Sequence, residues 1–253
     1  MPDDVRSRFA PVAANYATSK FHADPARMEE LAVLAQPRAT DVCLDVATGA
    51  GNSAFALAPF VRRVVGLDIT PEMLEQARAG TAMRSLSNLS WVLADAERLP
   101  FEDAAFDLYT VRAAPHHFIQ IERALSEAAR VLKPGGRAAF IDCSPPAAAR
   151  EQLHEVEVGR DPSHVRSYTL AEWEARLEAA GLVVEAADQR ELDWDFEAWM
   201  GNMAVPVETV ARLAQIVGRS QGQARAQLRP EWRDGKLWHA YWHALIRARK
   251  PFR

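Results

Sequence analysis

The sequence predicts a doubly wound α/β fold for the 253-residue chain. Short apolar runs typical of buried strands alternate with helical stretches between residues 42 and 142, and this alternation indicates a mostly parallel sheet with right-handed crossovers. A turn rich in glycine and other small residues joins the first apolar run to the first helix of this region. Ligands of such sheets bind outside the carboxyl ends of the strands, so the loops that follow the strands are the candidate functional elements.

The first of these loops lies within residues 42–69, which read VCLDVATGAGNSAFALAPFVRRVVGLDI. The first apolar run ends at Asp45, and the second ends at Asp68, 19 positions after Gly49. Glycines let a ligand approach the main chain closely, and an acid at the end of the second strand can accept both hydroxyls of a ribose. The stretch therefore predicts a site for an adenosine-containing ligand.

The glycine pattern alone does not identify that ligand. Gly49, Gly51 and Ala54 fit G-x-G-x-x-A, which suits a dinucleotide as well as an adenosyl sulfonium. A tight strand-to-helix turn in an unrelated α/β protein would also produce this pattern. The rest of the chain has to decide among the three interpretations.

The segment before the first strand, residues 1–36, is predicted to be helical. Two helical pieces within it each carry an apolar stripe, and Tyr16, Ser19 and His22 follow one another at a spacing of three residues. Two interpretations stay open. The segment forms a helical cap that folds over the ligand, or it is an ordinary N-terminal helix whose Tyr16 packs on the core.

The elements between residues 70 and 142 continue the alternation. Thr70 is a predicted N-cap with Pro71 at the first helical position, strands are expected at 89–93, 106–111 and 137–142, and a helix is expected at 121–132. The carboxyl ends of the parallel strands should bring four loops together. These loops carry Thr48 to Asn52, Asp68, Asp95 with Ala96, and Arg112 to His117.

The C-terminal half is less regular. Residues 145–168 read as an insertion, and a capping box at Thr169 opens a helix that ends at Gly181. We predict a single domain with a cap at 1–36, a cofactor-binding core at 37–144, the insertion, and the rest of the sheet at 169–253. That last part comprises a strand over 182–187, a helical insertion over 190–236 and a final strand over 239–248.

The composition is that of an ordinary globular protein, with 25% charged and 49% hydrophobic residues. A net charge of −4 argues against a nucleic-acid partner, because binding to a polyanion normally uses a basic surface. The sequence shows no stretch typical of a signal peptide or a membrane span, so we expect a cytoplasmic protein. The two cysteines, Cys43 and Cys143, lie in apolar runs and are expected to be free thiols.

Five motifs together are similar to those of one protein family. They are LDVATGAG, VVGLDITPEMLEQAR, ADAERLPF, FDLYTVRAAPHHF and LKPGG. In this combination the chain resembles the class I S-adenosylmethionine-dependent methyltransferases, and within them the ubiquinone/menaquinone-methyltransferase-like group called type 11. The resemblance covers nearly the whole chain and implies a Rossmann-like sheet of seven strands with an antiparallel last strand. It also implies S-adenosyl-L-methionine as cofactor, S-adenosyl-L-homocysteine as product and a small-molecule methyl acceptor.

The same resemblance implies roles for individual residues. The methionine part of the cofactor would be held by Asp45 and by the turn that contains Ala47, Thr48, Gly49 and Gly51. Asp68 would bind the ribose hydroxyls, Ile69 and Met73 would pack near the ribose and adenine, and Asp95 with the Ala96 amide would read the adenine. The other expected cofactor contacts are Tyr16, Asn52 and Arg112. Many relatives have Gly-Cys where this chain has Ala47-Thr48, a difference that keeps a small residue.

The expected chemistry is in-line displacement at a sulfonium methyl group, for which the enzyme mainly supplies proximity and alignment. Tyr16 or Phe118 could offer a π face to the positive sulfonium. An acceptor that must lose a proton needs a base, and the candidates are His22, His116, His117 and His164. Of the adjacent pair His116 and His117, one could instead be packed and the other solvated. Arg160, Asp161 and His164 are interpreted as an ion-paired structural turn.

Two other functions remain as alternatives. An NAD(P)-dependent oxidoreductase shares the glycine turn and the ribose acid, but the chain lacks a Tyr-x-x-x-Lys pair. The second alternative is a non-catalytic adenosylmethionine-binding protein. We expect no metal site, since no helix carries His-x-x-x-His or a Cys/His cluster at ligand spacing. The abundant tryptophan favours a flat or apolar acceptor such as a quinone-like ring, and the sequence leaves open whether the chain is a monomer or a homodimer.

Overall fold

The computed structural model describes residues 4–19 and 22–252. The strands are β1 (Val42–Val46), β2 (Arg63–Asp68), β3 (Leu89–Leu93), β4 (Phe106–Arg112), β5 (Leu132–Cys143), β6 (Val183–Asp195), β7 (Glu231–Arg233) and β8 (Lys236–Arg249). The helices are α1 (Val5–Phe9), α2 (Ala13–Thr18), α3 (Pro25–Ala35), α4 (Asn52–Leu57), α5 (Pro71–Met83), α6 (Ile121–Val131), α7 (Arg150–Arg160), α8 (Leu170–Ala179), α9 (Phe196–Gly201), α10 (Val207–Gly218) and α11 (Gly222–Leu228).

All the strands form one sheet in the order β3-β2-β1-β4-β5-β8-β6, with β7 paired to β8. Strands β1 to β5 run parallel, and β8 is antiparallel to both β5 and β6. The strand order reverses between β1 and β4, which opens a crevice at their carboxyl ends. The predicted doubly wound α/β fold and its antiparallel last strand are confirmed.

The predicted helical insertion over 190–236 is wrong at both ends. Residues 190–195 continue β6, because β8 offers pairing partners along its whole length, up to Asp195 opposite Trp238. Strand β6 lies at one edge of the sheet, and its many polar side chains hide the strand pattern. This is a case in which tertiary pairing decides over local preference.

Within residues 4–19 and 22–252 the sheet has eight strands instead of the predicted seven, because β7 and β8 form a hairpin. Asp234 and Gly235 form its turn with φ of 51° and 78°, and Arg233 pairs with Lys236 across it. An Asp-Gly pair is a strong hairpin signal because both turn residues need positive φ. The sequence therefore contained the signal for this hairpin.

The first strands are buried on both faces, as is typical of parallel sheets covered by helices. On one face, Leu44, Tyr109 and Phe140 pack with the fully buried Trp173 of α8. On the opposite face, Cys43 and Leu108 pack against helices α3 and α4. This alternation follows the two-residue period of a strand and fixes which side chains point away from solvent.

A separate aromatic core joins α7, α9, α10 and α11 to the far ends of β6 and β8. Trp194 and Tyr241 stack with their ring centroids 5.0 Å apart, and Trp199 lies 5.2 Å from Tyr241. This core carries the segment around Met203, whose sulfur accepts a hydrogen bond from the hydroxyl of Tyr16 at 3.1 Å. The C-terminal helices therefore support the N-terminal segment.

Two predicted helix starts give different results. The capping box at Thr169 is confirmed, since its hydroxyl accepts from the Glu172 amide and the Glu172 side chain accepts from the Thr169 amide. Thr70 does occupy the N-cap of α5, but its side chain makes no capping hydrogen bond. The Thr70 amide instead donates to Asp68, so the acid at the end of β2 organises this turn.

Candidate active site

A cavity of about 490 Å³ lies at the carboxyl ends of β1 to β4. Of the predicted site residues, Tyr16 and His22 line it from the N-terminal segment, and Ala47, Thr48, Gly49 and Asn52 line it from the loop after β1. The later strand ends contribute Asp68, Ile69, Met73, Asp95, Ala96, Arg112 and His117. Four loops and the N-terminal segment therefore meet around one space of a size typical for small ligands.

Three predicted site residues, Asp45, Gly51 and His116, do not line this cavity. The buried Asp45 carboxylate accepts hydrogen bonds from the hydroxyls of Thr48 at 2.6 Å and Thr110 at 2.7 Å. Burial raises the pKa of Asp45 to about 6, although both hydroxyls oppose this shift. In this structure Asp45 supports the loop after β1 through its hydrogen bond with Thr48.

The backbone of the loop after β1 is open to the cavity at Gly49. Its φ is +54°, and a Cβ added there would have Met73 Sδ, 3.9 Å away, as its nearest neighbour. Gly51, with φ +90°, instead packs on Trp91, because an added Cβ would lie 2.8 Å from that ring. Ala47 also has a positive φ of 50°, a strained conformation for a residue with a Cβ. Gly49 thus forms a cradle into which a ligand can move close to the main chain.

Asp68 joins the loops after β1 and β2. One of its oxygens accepts from the Gly49 amide at 2.8 Å, and the other accepts from the Thr70 amide at 2.9 Å. The residue is only 7% exposed, and burial raises its pKa, with these backbone hydrogen bonds acting in the opposite direction. Each carboxylate oxygen has further lone pairs, so a cavity ligand with hydroxyl groups can still be bound.

The loop after β3 presents Asp95 and Ala96 to the cavity. One Asp95 oxygen accepts from the Glu97 amide at 2.8 Å, which holds the acid at the tip of the loop. Ala96 is buried at 6% exposure. A carboxylate beside a backbone amide can pair with an amino group and a neighbouring acceptor nitrogen of a ligand.

Arg112 is a cation at the end of β4. Its Nη2 donates to the His22 carbonyl oxygen at 2.7 Å, and its Nε donates to Ser53 Oγ at 3.3 Å. Burial lowers the pKa of Arg112 to about 10, so the guanidinium stays charged at neutral pH. Arg112 therefore places a positive charge beside the loop after β1 and ties β4 to the N-terminal segment.

The N-terminal segment forms an aromatic wall of the cavity. The ring centroid of Tyr16 lies 5.3 Å from that of Phe9 and 4.3 Å from that of His22. Asn52 donates to the Tyr16 carbonyl oxygen at 3.2 Å. The segment lines the cavity, and its Tyr16 also packs against a small buried cluster of Ala13, Ala50 and Met73, so features of both interpretations are present. Residues 1–3, 20 and 21 of the segment lie outside the described residues.

The adjacent histidines His116 and His117 have different surroundings. Nδ1 of His116 lies 2.6 Å from the buried Asp142 carboxylate, and this acid together with Cys143 outweighs burial and holds the pKa of His116 well above its usual value. Burial, followed by the nearby His116, lowers the pKa of His117 to about 3. Both side chains are at most 13% exposed, so the alternative in which one of them is solvated does not hold. Only His117 reaches the cavity.

Of the other two histidine candidates, His164 is buried and His22 is half-buried. The ring of His22 lines the cavity, and burial lowers its pKa well below the usual value. His164 stacks on His116 with 5.1 Å between ring centroids and stays outside the cavity. The ion-paired turn predicted around His164 is centred on Glu157, which lies 3.6 Å from Arg160 and 4.0 Å from His164. Asp161 instead pairs with Arg8 at 3.6 Å.

One group of side chains in the described part of the chain has metal-binding chemistry. Donor atoms of His116, Asp142 and Cys143 all lie within 4.8 Å of one another. The His116 nitrogen and the Asp142 oxygen lie 2.6 Å apart, which is a hydrogen-bond distance. Two ligand atoms that each lie about 2 Å from a tetrahedral zinc ion are farther apart than this. The absence of a metal site therefore stays a prediction.

Sequence reasoning missed several residues of the site. Those that line the cavity include Asp4, Arg6, Phe9, Ser53, Ile119, Ser163 and Val165. Thr110 and Asp142, which hold Asp45 and His116, were missed as well. Most of these residues are brought to the site from distant segments, and no local pattern in the sequence indicates such contacts.

Comparison with known proteins supports one family. Residues 44–140 match a family model described as a methyltransferase domain. The uncharacterized methyltransferase YcgJ of Bacillus subtilis is 32% identical over 219 residues, which cover 86% of this chain and 87% of YcgJ. A crystal structure of a candidate methyltransferase from Bacillus halodurans matches with a TM-score of 0.85 at 34% identity and covers 89% of this chain and 99% of that one. A ubiquinone/menaquinone biosynthesis C-methyltransferase, UbiE of Zymomonas mobilis, is 44% identical over 104 residues, 41% of this chain and 43% of that enzyme.

The fold, the cavity and these similarities define a class I S-adenosylmethionine-dependent methyltransferase. Within that class the chain belongs to the type 11 methyltransferase domain family, which confirms the family predicted from the five motifs. S-adenosylmethionine is accordingly the cofactor. Among residues 4–19 and 22–252, no helix combines the length and the apolar character that a bilayer crossing requires.

Proposed function

We propose that the protein transfers a methyl group from S-adenosylmethionine to a small, largely apolar ring compound of quinone-like shape. The observation that carries the proposal is that one cavity is bordered both by the strand-end loops and by an aromatic wall. The first border suits the cofactor, and the second suits a flat acceptor. The similarity to UbiE supports an acceptor of this kind, although it covers only 41% of the chain.

The strand-end loops contain groups suited to each part of the cofactor. Asp68 would accept the ribose hydroxyls, and Asp95 with the Ala96 amide would bind the adenine edge. The open backbone at Gly49 would let the methionine part lie against the loop, with Arg112 near its carboxylate. The other proposed contacts are Tyr16, Ala47, Thr48, Asn52, Ile69 and Met73. Asp45 and Gly51 would act indirectly by shaping the loop.

The acceptor would lie on the side of the aromatic wall. Phe9, Tyr16 and Phe118 offer apolar faces there, and Ile119 at the rim is 71% exposed. Of the arginines that line the cavity, Arg112 donates to the His22 carbonyl oxygen and is assigned to the cofactor, and Arg6 pairs with Asp4 at 3.0 Å. Such a wall favours a neutral ring over a phosphorylated or strongly acidic acceptor.

Methyl transfer to an acceptor X–H releases one proton. When bound, S-adenosylmethionine supplies an electrophilic methyl group, and its S–C bond breaks with the electron pair going to sulfur. An electron pair of the acceptor would form the new bond to the methyl carbon. The X–H electron pair would stay on the acceptor, and the proton would be taken by Nε2 of His117. With a pKa of about 3, His117 is a weak base and receives the proton only once methylation has made X–H acidic. His116 would act only as the charged neighbour, and His22 is the second cavity histidine.

The experiment is a methyl-transfer assay with labelled S-adenosylmethionine. The acceptor panel pairs ring compounds that carry a hydroxyl or an activated ring carbon with small polar amines and phosphorylated compounds. We expect labelled product only from the rings, and a lower kcat in the His117→Gln variant. Asp103→Asn, which changes a 78% exposed carboxylate on the Arg130 ion pair, serves as the control. Methylation confined to the amines or phosphorylated compounds would contradict the proposal.

A further inference from the structure

The turn at Asp161 to Ser163 contacts His117. Asp161 is 2% exposed, and its Oδ1 accepts from the Ser163 amide at 3.0 Å and from the Ser163 hydroxyl at 2.7 Å. Ser163 is fully buried and borders the cavity. The carboxylate therefore fixes both the backbone and the side chain of the residue that contacts His117.

The contact between Ser163 and His117 determines which ring nitrogen carries the proton. Nδ1 of His117 lies 3.1 Å from the Ser163 carbonyl oxygen and 3.2 Å from its hydroxyl. A carbonyl oxygen only accepts, and the hydroxyl already donates to Asp161, so Nδ1 must be the donor. A neutral His117 with its proton on Nδ1 has a lone pair on Nε2.

The second Asp161 oxygen lies near that other nitrogen. Oδ2 is 3.9 Å from His117 Nε2, beyond hydrogen-bond distance but close enough to stabilise a positive ring. The site is almost completely buried, so this charge acts with little screening by water. A proton that arrives at Nε2 would therefore be stabilised without being held there beforehand.

The same carboxylate is connected to helix α1. Nε of Arg8 lies 3.6 Å from Asp161, and its Nη2 donates to the carbonyl oxygens of Arg160 at 3.1 Å and Met203 at 3.2 Å. The neighbouring Phe9 packs edge-on against His117 with ring centroids 5.2 Å apart. Two consecutive residues of α1 thus contact the histidine and the acid behind it.

We propose that Asp161 is a positioning residue that holds the proton of His117 on Nδ1 through Ser163 and leaves Nε2 able to accept the proton of the methyl acceptor. Through Arg8, this arrangement depends on α1 being seated over the cavity. The inference rests on the proposed function, since it assigns a role to a residue that acts on His117 of the same acceptor site. In this arrangement His117 takes the proton, and Asp161 sets the ring tautomer that can take it.

The test observes the His117 ring directly. Full-length protein labelled with ¹⁵N in its histidines is saturated with S-adenosylhomocysteine, and long-range ¹H–¹⁵N spectra are recorded at neutral pH. In the wild type we expect the proton of His117 on Nδ1 and none on Nε2, with the signal assigned through His117→Gln. A proton on Nε2 in the wild type would overturn the proposal.

Variants then separate positioning from general structure. Asp161→Asn should redistribute the His117 proton between the two ring nitrogens and leave KM for the cofactor unchanged. It should lower kcat by about tenfold, the change in rate that corresponds to the loss of one charge-assisted hydrogen bond. Ser163→Ala keeps the accepting carbonyl and should retain the Nδ1 proton. The control Asp103→Asn should change neither the spectrum nor kcat. An Asp161→Asn protein with an unaltered His117 signal, or with an altered signal and unaltered kcat, would overturn the positioning role.

A second variant covers the case in which Asp161→Asn does not fold. Arg8→Gln removes the same ion pair from the α1 side, at a side chain that is 28% exposed. We expect a second His117 signal and a lower kcat; an unchanged signal would count against the link to α1. If the wild type methylates none of the ring acceptors, the proposed function fails, while the histidine spectra still decide the position of the proton.

Discussion

Asp68 is the residue on which we expect cofactor affinity to depend most. Its carboxylate holds the Gly49 and Thr70 amides and borders the cavity. Asp68→Asn should weaken S-adenosylhomocysteine binding by about tenfold or more, because a hydrogen bond to a charged group contributes about 1.5–3 kcal/mol. Calorimetric titration measures the change, with Asp103→Asn as the control. Equal affinities of wild type and Asp68→Asn would show that the ribose binds elsewhere.

Asp45 gives a prediction about pH. Burial raises its pKa from 3.8 to about 6, so between these values the folded protein binds more protons at this site than the unfolded chain. Asp45 therefore destabilises the fold above pH 6, and this cost disappears as the pH falls towards 4. Asp45→Asn cannot titrate, so its stability relative to the wild type should rise by about 2–3 kcal/mol between pH 4 and pH 7.

Urea unfolding of both proteins at several pH values measures this difference. Changes in other carboxylates affect both proteins equally and cancel in the comparison. The Asn side chain also loses an acceptor for Thr48 or Thr110, which shifts the difference by an amount that does not vary with pH. A stability difference that stays constant from pH 4 to pH 7 would mean that the Asp45 pKa is not raised.

At the scale of elements, the packing of β2 against Trp91 supports the loop after β1. A Cβ on Gly66 would lie 2.3 Å from the Trp91 ring and 3.1 Å from the methyl group of Thr48. Gly66→Ala should therefore destabilise the protein by about 1–3 kcal/mol through overpacking. In a Trp91→Leu background the cost should be smaller, since the ring is gone. Chemical unfolding of the four proteins of this double-mutant cycle tests the coupling, and additive costs would refute it.

The elements that the sequence predicted well are those whose signal is local. Strands β1, β2 and β4 are short apolar runs buried on both faces, and an acid or a polar loop follows each of them. The predicted strand over 182–187 is shorter than β6. The second half of β6 is polar, and it is a strand only because it pairs with β8. The Asp234-Gly235 hairpin has a local signal, although it lies within the segment that the sequence analysis predicts to be helical.

At the scale of the whole molecule, the site depends on contacts that no local pattern contains. The acids and glycines of the cofactor loops could be placed from the sequence, since each lies at the end of its strand or shortly after it. His117 meets Ser163 across 46 positions, and His116 meets Asp142 across 26, so neither partner could be identified by spacing. The different states of the two histidines follow from these distant partners.

The cap, the four loops and the C-terminal helices together build the cavity, and our central conclusion is that this cavity binds S-adenosylmethionine. The most direct measurement is a calorimetric titration of the purified protein with S-adenosylhomocysteine and, separately, with NAD and NADP. We predict micromolar or tighter binding of S-adenosylhomocysteine, with one site per chain, and no heat of binding from either nicotinamide nucleotide. Binding of NAD or NADP, or no binding of S-adenosylhomocysteine, would contradict this account of the site.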